Sequence, residues 1–172
     1  MPASVTVYTV GHSNHPFTKL AALLREHSIQ VLIDVRSKPQ SRWVPHFNRK
    51  NLEVAIPDLA IEYKWMGNYL GGLPDDPTYW KPNPRKRKTD PQKIVDYDKV
   101  AQQQWFKAAI DELLEAASQK RTAIMCAEED PRNCHRSKLI GNTLKEKGVK
   151  VLHIRKDGKL EPQGVTGHTT TA

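Results

Sequence analysis

Long apolar runs are missing from this 172-residue chain. None approaches the roughly 20 residues that a helix needs to cross a bilayer, so no membrane association is expected. The opening segment, MPASVTVYTVGHS, lacks the basic start and extended apolar centre of a secretory leader, and the expected compartment is the cytoplasm. Cysteine is also scarce, with two residues in the whole chain. That excludes a disulfide framework, and in a reducing compartment both are expected as thiols. No internal repeat is present, which excludes a repeat architecture.

What is present suits one globular domain. At this length about 70% of the unfolded chain's surface can be buried, enough for a core without metal or disulfide staples. The expected organisation is a single α/β domain over residues 1–165, followed by a flexible tail at 166–172. The formal charge is +8. Much of it is local: Lys81 to Lys93, KPNPRKRKTDPQK, has six basic residues and one acidic, a net +5. Three prolines and no apolar periodicity make this segment an inserted basic loop. Two readings stay open for it. Arg85, Lys86, Arg87 and Lys88 can contact nucleic acid by displacing counterions from phosphates, or the segment is a solvated loop. Tyr79 and Trp80, just before it, can stack on bases or anchor the loop to the core.

Apolar patterning gives the elements. Val5 to Val10 is β-branched and ends at Gly11, a strand; Pro16 to Ser28 carries Phe17, Leu20, Leu23 and Leu24 at helical spacing; Val31 to Arg36, VLIDVR, is a second strand. This is a βαβ unit. A short helix is expected over Asn48 to Ala55 and a strand in IEYKWM from Ile61. One long amphipathic helix is expected from Asp98 to Lys120, then a buried strand TAIMC, a helix from Ser137 to Lys147, and a strand in VKVLHI. The Asp-Gly pair in RKDGKL suits a tight hairpin turn. Four continuous apolar runs, TVYTV, VLIDV, TAIMC and KVLHI, predict interior strands of a mostly parallel sheet flanked by helices, an α/β layered sandwich.

The polar residues of interest fall after those strands. His12 and Ser13 follow the first; Asp34 and Arg36 close the second; Cys126, Glu128 and Glu129 follow TAIMC; Cys134, His135 and Arg136 open the next helix. Ligands of open parallel sheets bind at strand carboxyl ends, so these loops define the expected site. Three chemistries fit the residue types. Cys126 and Arg132 have the spacing of an oxyanion-cradling thiolate loop, but AEEDP between them is acidic and contains no glycine. Cys126, Cys134 and His135 suggest zinc, but adjacent Cys and His residues rarely reach one ion, so no metal and no cofactor are expected. Glu128, His135 and His12 suit proton transfer or nucleophilic work on a phosphorylated or nucleotide-like small molecule, with Arg36 and Arg136 holding its anion. A purely structural ion-pair network of Asp34, Arg36, Glu128 and Arg136 weighs equally against that third chemistry.

The motifs TVGHSN, IDVRSKPQSR, GNYLGG, MCAEEDPRNCHRSKLIG and VLHI, in this order, resemble the domain-of-unknown-function 488 family over about residues 5–160. The resemblance implies a compact α/β sandwich and carries over Gly11, His12, Ser13, Asp34, Arg36, Pro39, Ser41, Cys126, Glu128, Cys134, His135 and Arg136 as motif positions. It implies no activity. Two functional expectations follow: an enzyme acting at the strand carboxyl ends, or a nucleic-acid-binding module in which the basic loop supplies affinity and the polar cluster is structural.

Overall fold

The apolar runs become strands and the helical stripes become their covering layers in the computed structural model of the protein, which describes residues 4–86 and 92–164. In chain order the elements are β1 (Thr6–Gly11), α1 (Phe17–Glu26), β2 (Val31–Asp34), α2 (Arg49–Ala55), β3 (Glu62–Trp65), α3 (Gly67–Leu70), β4 (Trp80–Pro82), β5 (Lys93–Val95), α4 (Tyr97–Ala101), α5 (Gln104–Gln119), β6 (Thr122–Cys126), α6 (Asn142–Glu146), β7 (Lys150–Ile154) and β8 (Leu160–Pro162). Six strands form one sheet in the order β3-β2-β6-β1-β7-β8. All neighbours are parallel except β8, which returns antiparallel to β7. The four continuous apolar runs are therefore the four interior strands, and the chain is a single-domain α/β fold with a mostly parallel sheet.

Alternation along the strands feeds two cores. Val7, Ile33, Ile124 and Val151 pack with Phe106, Ile110 and Leu113 of α5 on one face. Tyr8, Val10, Leu32 and Met125 pack with Leu20 and Leu24 of α1 and Leu52 of α2 on the other. Each fully buried Leu, Ile or Phe contributes roughly 1.5–3 kcal/mol of transfer free energy, which makes both layers necessary to the sheet. The layers also set where a ligand can enter. The crossover leaving β1 runs through α1 on one face, whereas the one leaving β6 runs through α6, whose Leu144 lies in the other core. Adjacent strands whose connections diverge to opposite faces open a crevice between their carboxyl ends.

Three elements differ from the sequence expectation. The helix expected over Asp98 to Lys120 is two helices, interrupted at Gln102 and Gln103, where Gln103 is extended. Phe106, Ala109, Ile110 and Leu113 keep one stripe, but Val100 lies six residues before Phe106, out of helical phase, and buries only because the chain turns there. The helix expected over Ser137 to Lys147 starts as a π-helical turn, Arg136–Gly141, before α6. The basic loop is shorter than expected, since its ends pair as the antiparallel hairpin β4–β5. Arg87 and Lys88, like the expected tail at 166–172, lie outside the described residues. No described helix is long and apolar enough to cross a membrane.

Candidate functional site

The crevice is closed on one side by backbone. Gly11 stands opposite Cys126 in the β1–β6 ladder. The His12 N–H donates to the Cys126 carbonyl at 3.0 Å and the Ser13 N–H to the Ala127 carbonyl at 2.7 Å, so the loops after β1 and β6 run on together beyond the sheet. A Cβ at Gly11 would lie 1.8 Å from the Glu128 carbonyl oxygen, so only glycine permits this approach.

Arg136 completes the closure from beneath. Its fully buried guanidinium donates to Thr9 Oγ1 at 3.1 Å, to the Glu128 carbonyl, and to the Glu129 carbonyl at 2.8 Å. Thr9 Oγ1 in turn lies 2.6 Å from His153 Nδ1, and His153 Nε2 lies 2.7 Å from Gln163 Oε1. With its donors on these partners, Arg136 positions the loop, and the anion-holding role expected for it does not match this geometry.

That clamp separates the two glutamates. Glu129 turns outward, its carboxylate accepting from Arg155 at 3.0 and 3.1 Å and from the Lys156 N–H at 2.9 Å. Glu128 is solvent-exposed as a residue, but its Oε2 lies 3.1 Å from Cys126 Sγ at the mouth of the crevice. Partial burial alone would raise its pKa; hydrogen bonds from Cys126 and its own backbone outweigh that, holding Glu128 below the ordinary carboxylate value.

Cys126, Cys134 and His135 meet at the floor. His135 Nδ1 lies 3.6 Å from Cys126 Sγ and 3.8 Å from Cys134 Sγ, and the three donor atoms all lie within 4.8 Å of one another. The neighbouring Cys134 sulfur, aided by burial, pushes the Cys126 thiol up; the same pairing, with help from His135 and Arg136, pulls Cys134 down. His135 Nε2 lies 2.9 Å from the Val35 carbonyl, which accepts only from an N–H, so Nε2 carries a proton and Nδ1 is the nitrogen left to the sulfurs. Gly72 packs against this ring, with a Cβ there falling 2.6 Å from His135 Cγ. The sequence objection to a shared Cys134–His135 site fails because Cys134 is extended while His135 is helical, which swings the two adjacent side chains to one point.

A second network stands behind the first. Asp34 accepts from Arg36 Nε at 2.8 Å, Arg36 Nη2 at 2.7 Å and the Tyr63 hydroxyl at 2.6 Å. Arg36 also donates to the Phe47 carbonyl at 2.7 Å, and its Nη1 lies 3.1 Å from His12 Nε2. His12 Nδ1 sits 2.7 Å from the Ser13 carbonyl, and the ring stacks on Phe47 at 4.5 Å. Nδ1 thus donates and Nε2 accepts, the neutral ring. Burial lowers the His12 pKa to about 4, only partly opposed by the Ser13 hydrogen bond. With both nitrogens engaged, His12 holds Arg36, and the catalytic role expected for it does not match this geometry.

A cavity of about 230 Å³ joins the two groups, lined by Arg36, Lys38, Tyr97, Cys126, Glu128 and His135 among others. A larger groove of about 820 Å³ runs between β3 and α5, past Tyr63, Lys64 and Ala116. It lacks thiol and imidazole groups, so the smaller cavity is the candidate site. Ser41 and Ser13 stay outside: the Ser41 hydroxyl accepts from the Trp43 N–H at 3.1 Å, and the Ser13 hydroxyl faces Asn14. Arg132 turns back onto Asp130 at 2.7 Å, so Cys126 and Arg132 form no oxyanion cradle. Arg85 and Lys86 are exposed on the hairpin, while Trp80 Nε1 donates to the Pro74 carbonyl at 2.8 Å and Tyr79 packs edge-on to Trp105. Both aromatics are therefore anchors.

Sequence reasoning missed Lys38, Tyr97 and Gly72. Lys38 was findable, two residues beyond Arg36 on the loop leaving β2. Tyr97, its pKa raised to about 12 by burial and the nearby sulfurs, gave no local signal. No curated protein matches the chain, and no solved structure matches it. The family model described as "Domain of unknown function DUF488" matches residues 17–144, which is most of the chain and includes Asp34, Arg36, Cys126, Glu128, Cys134 and His135, and the chain belongs to that family.

Proposed function

We propose that the protein is an enzyme acting on a small phosphorylated or nucleotide-like molecule in the cavity at the carboxyl ends of β2 and β6. One observation carries this reading: a cationic wall and a reactive floor face the same space. Lys38 is exposed and has no ion-pair partner among the described residues, and Arg36, paired with Asp34, lines the cavity beside it. Opposite stand Cys126, Glu128, Cys134 and His135. At about 230 Å³ the cavity is smaller than the roughly 300–1,000 Å³ of sites for drug-sized ligands, which favours a phosphate-bearing group or a single ring over a dinucleotide. Glu128, ionised at neutral pH and at the mouth, is the proton acceptor for the ligand. His135 acts on the sulfurs, because its free nitrogen faces them.

The test is calorimetric titration of the full chain with inorganic phosphate, ribose 5-phosphate and a nucleoside monophosphate. At least one should bind, and Lys38→Ala should weaken it about 10- to 100-fold, the worth of a hydrogen bond to a charged group. If no probe binds, or Lys38→Ala binds like the parent, the reading is wrong. The nucleic-acid reading retains one favouring observation, the exposed Arg85 and Lys86 on the β4–β5 hairpin, and rests on charge alone.

A further inference from the structure

Buried thiols usually need no explanation beyond packing, and the bland account of Cys126 is a small hydrophobe at a strand end. Its surroundings do not fit that account. Cys126 Sγ, Cys134 Sγ and His135 Nδ1 come from two separate stretches of chain, are all buried, and point at one another. We propose that these three atoms bind one thiophilic divalent cation of the zinc class, with the fourth coordination position open to the cavity beside Glu128.

The spacing is that of ligands around an ion. With metal–sulfur bonds of about 2.3 Å and metal–nitrogen bonds of about 2.0–2.1 Å, a tetrahedral centre holds sulfur and nitrogen about 3.6 Å apart. The two sulfur–nitrogen separations here are 3.6 and 3.8 Å. Both lie within a few tenths of an ångström of that value, and the two sulfurs, no more than 4.8 Å apart, are within about 1 Å of the roughly 3.8 Å that a tetrahedral centre sets between them.

The surroundings of the ligands point the same way. A metal-binding imidazole donates its other N–H to a carbonyl or carboxylate, which fixes the ring and turns a lone pair to the ion. His135 Nε2 does this at the Val35 carbonyl, 2.9 Å away, with Gly72 seating the opposite side of the ring. The Arg136 N–H donates to Cys134 Sγ at 3.4 Å, an interaction suited to a thiolate ligand. Cys126 is held by the β1–β6 ladder, and Cys134 follows a turn capped by Asp130. Preorganisation of this kind matters little to packed thiols and much to a metal.

Ligand type and number give the class. Two sulfurs and an imidazole select zinc-like ions over magnesium or calcium, which take oxygen ligands. Three protein ligands with an open fourth position are the pattern of a catalytic centre, whereas structural zinc is closed by four. Glu128 lies 3.1 Å from Cys126 Sγ, placed to accept a proton from water or ligand held at the open position. Metal binding is measured without any phosphorylated probe, so this proposal and the function proposed above can fail separately.

The experiment uses the full chain, freed of any affinity tag and produced in zinc-supplemented medium. Elemental analysis should find about one zinc per chain, and Cys126→Ser, Cys134→Ser and His135→Ala should each lose it. Metal-free protein titrated with Co²⁺ should develop the visible bands of a tetrahedral site and thiolate charge-transfer absorption, both reversed by zinc. Glu129→Gln, whose carboxylate faces Arg155, should keep the ion, and so should Glu128→Gln. The Co²⁺ titration of the parent keeps the test decisive where a ligand variant fails to fold. A parent that takes up neither zinc nor Co²⁺, or a folded Cys134→Ser variant that retains one zinc per chain, overturns the proposal.

Discussion

Acid should unfold this protein through His12, and the amount can be worked out. In the unfolded chain His12 takes a proton near pH 6.5; in the fold it resists until about pH 4, because burial and Arg36 disfavour the imidazolium. The native pKa is lowered, so the unfolded state binds the proton first and stability falls with pH. The contribution is complete above about pH 7, is lost progressively between 6.5 and 4, and levels off below. The shift of about 2.5 units corresponds to about 3 kcal/mol at 1.36 kcal/mol per unit. His153, also lowered by burial, titrates in the same direction, so the parent curve alone does not isolate His12. His12→Gln does, since its amide oxygen can accept from Arg36 and does not titrate. Urea unfolding followed by tryptophan fluorescence at half-unit steps from pH 8 to pH 4 gives both curves. The variant starts lower by about 1 kcal/mol, because the hydrogen bond to the Ser13 carbonyl is missing. The gap should close and then invert as pH falls, moving by about 3 kcal/mol in all. Parallel curves would refute the neutral, Arg36-accepting ring.

Tyr63→Phe removes the 2.6 Å hydrogen bond to Asp34 and should cost about 1–3 kcal/mol in urea unfolding, with the circular dichroism spectrum unchanged. Arg136→Lys should be nearly as damaging as Arg136→Met, about 3–5 kcal/mol, because one ammonium cannot reproduce the fork that reaches Thr9 and the Glu128 and Glu129 carbonyls; a near-neutral Lys variant in thermal or urea melts would sink that account. Neutralising Arg85, Lys86, Arg87 and Lys88 should leave stability unchanged and, if the hairpin binds duplex DNA, reduce the slope of log K against log salt by about 0.9 for each phosphate no longer neutralised. Unaltered binding at low salt in that variant would remove the nucleic-acid reading.

The sheet was legible because interior parallel strands are buried on both faces, and TVYTV, VLIDV, TAIMC and KVLHI show that as unbroken apolar runs. The interruption between α4 and α5 was readable in principle, since Val100 is out of phase with Phe106. The π-helical turn was not: no residue type in RSKLIG marks it, and it follows from Arg136 having to reach Thr9 while Leu139 and Ile140 stay in the core. The extent of the basic loop was not legible either, because Pro82 ends a strand whose partner, Lys93–Val95, lies beyond the charged run.

The location of the candidate site was legible and its division of labour was not, for a reason visible in Glu128 and Glu129. Nothing local distinguishes two adjacent acidic residues on one loop. What separates them is Arg155, which follows β7 and draws Glu129 outward, and Arg136, which binds both of their carbonyls and turns the loop so that Glu128 faces Cys126. Both arginines come from elements later in sequence, and their effect needs the β6-β1-β7 order before it exists. The same holds for His12 and Arg136, which the motif spacing placed among the reactive groups. Each is committed by a partner on another strand, His12 to Arg36 beyond β2 and Arg136 to Thr9 in β1. A cluster at strand carboxyl ends thus sorts itself by what the neighbouring strands supply: groups whose polar atoms are answered by backbone or by a fixed ion pair hold the loops, and groups answered only by one another are left for ligand. By that criterion Cys126, Glu128, Cys134 and His135 Nδ1 are the remainder, and they are the groups on which the proposed chemistry and the proposed ion are placed.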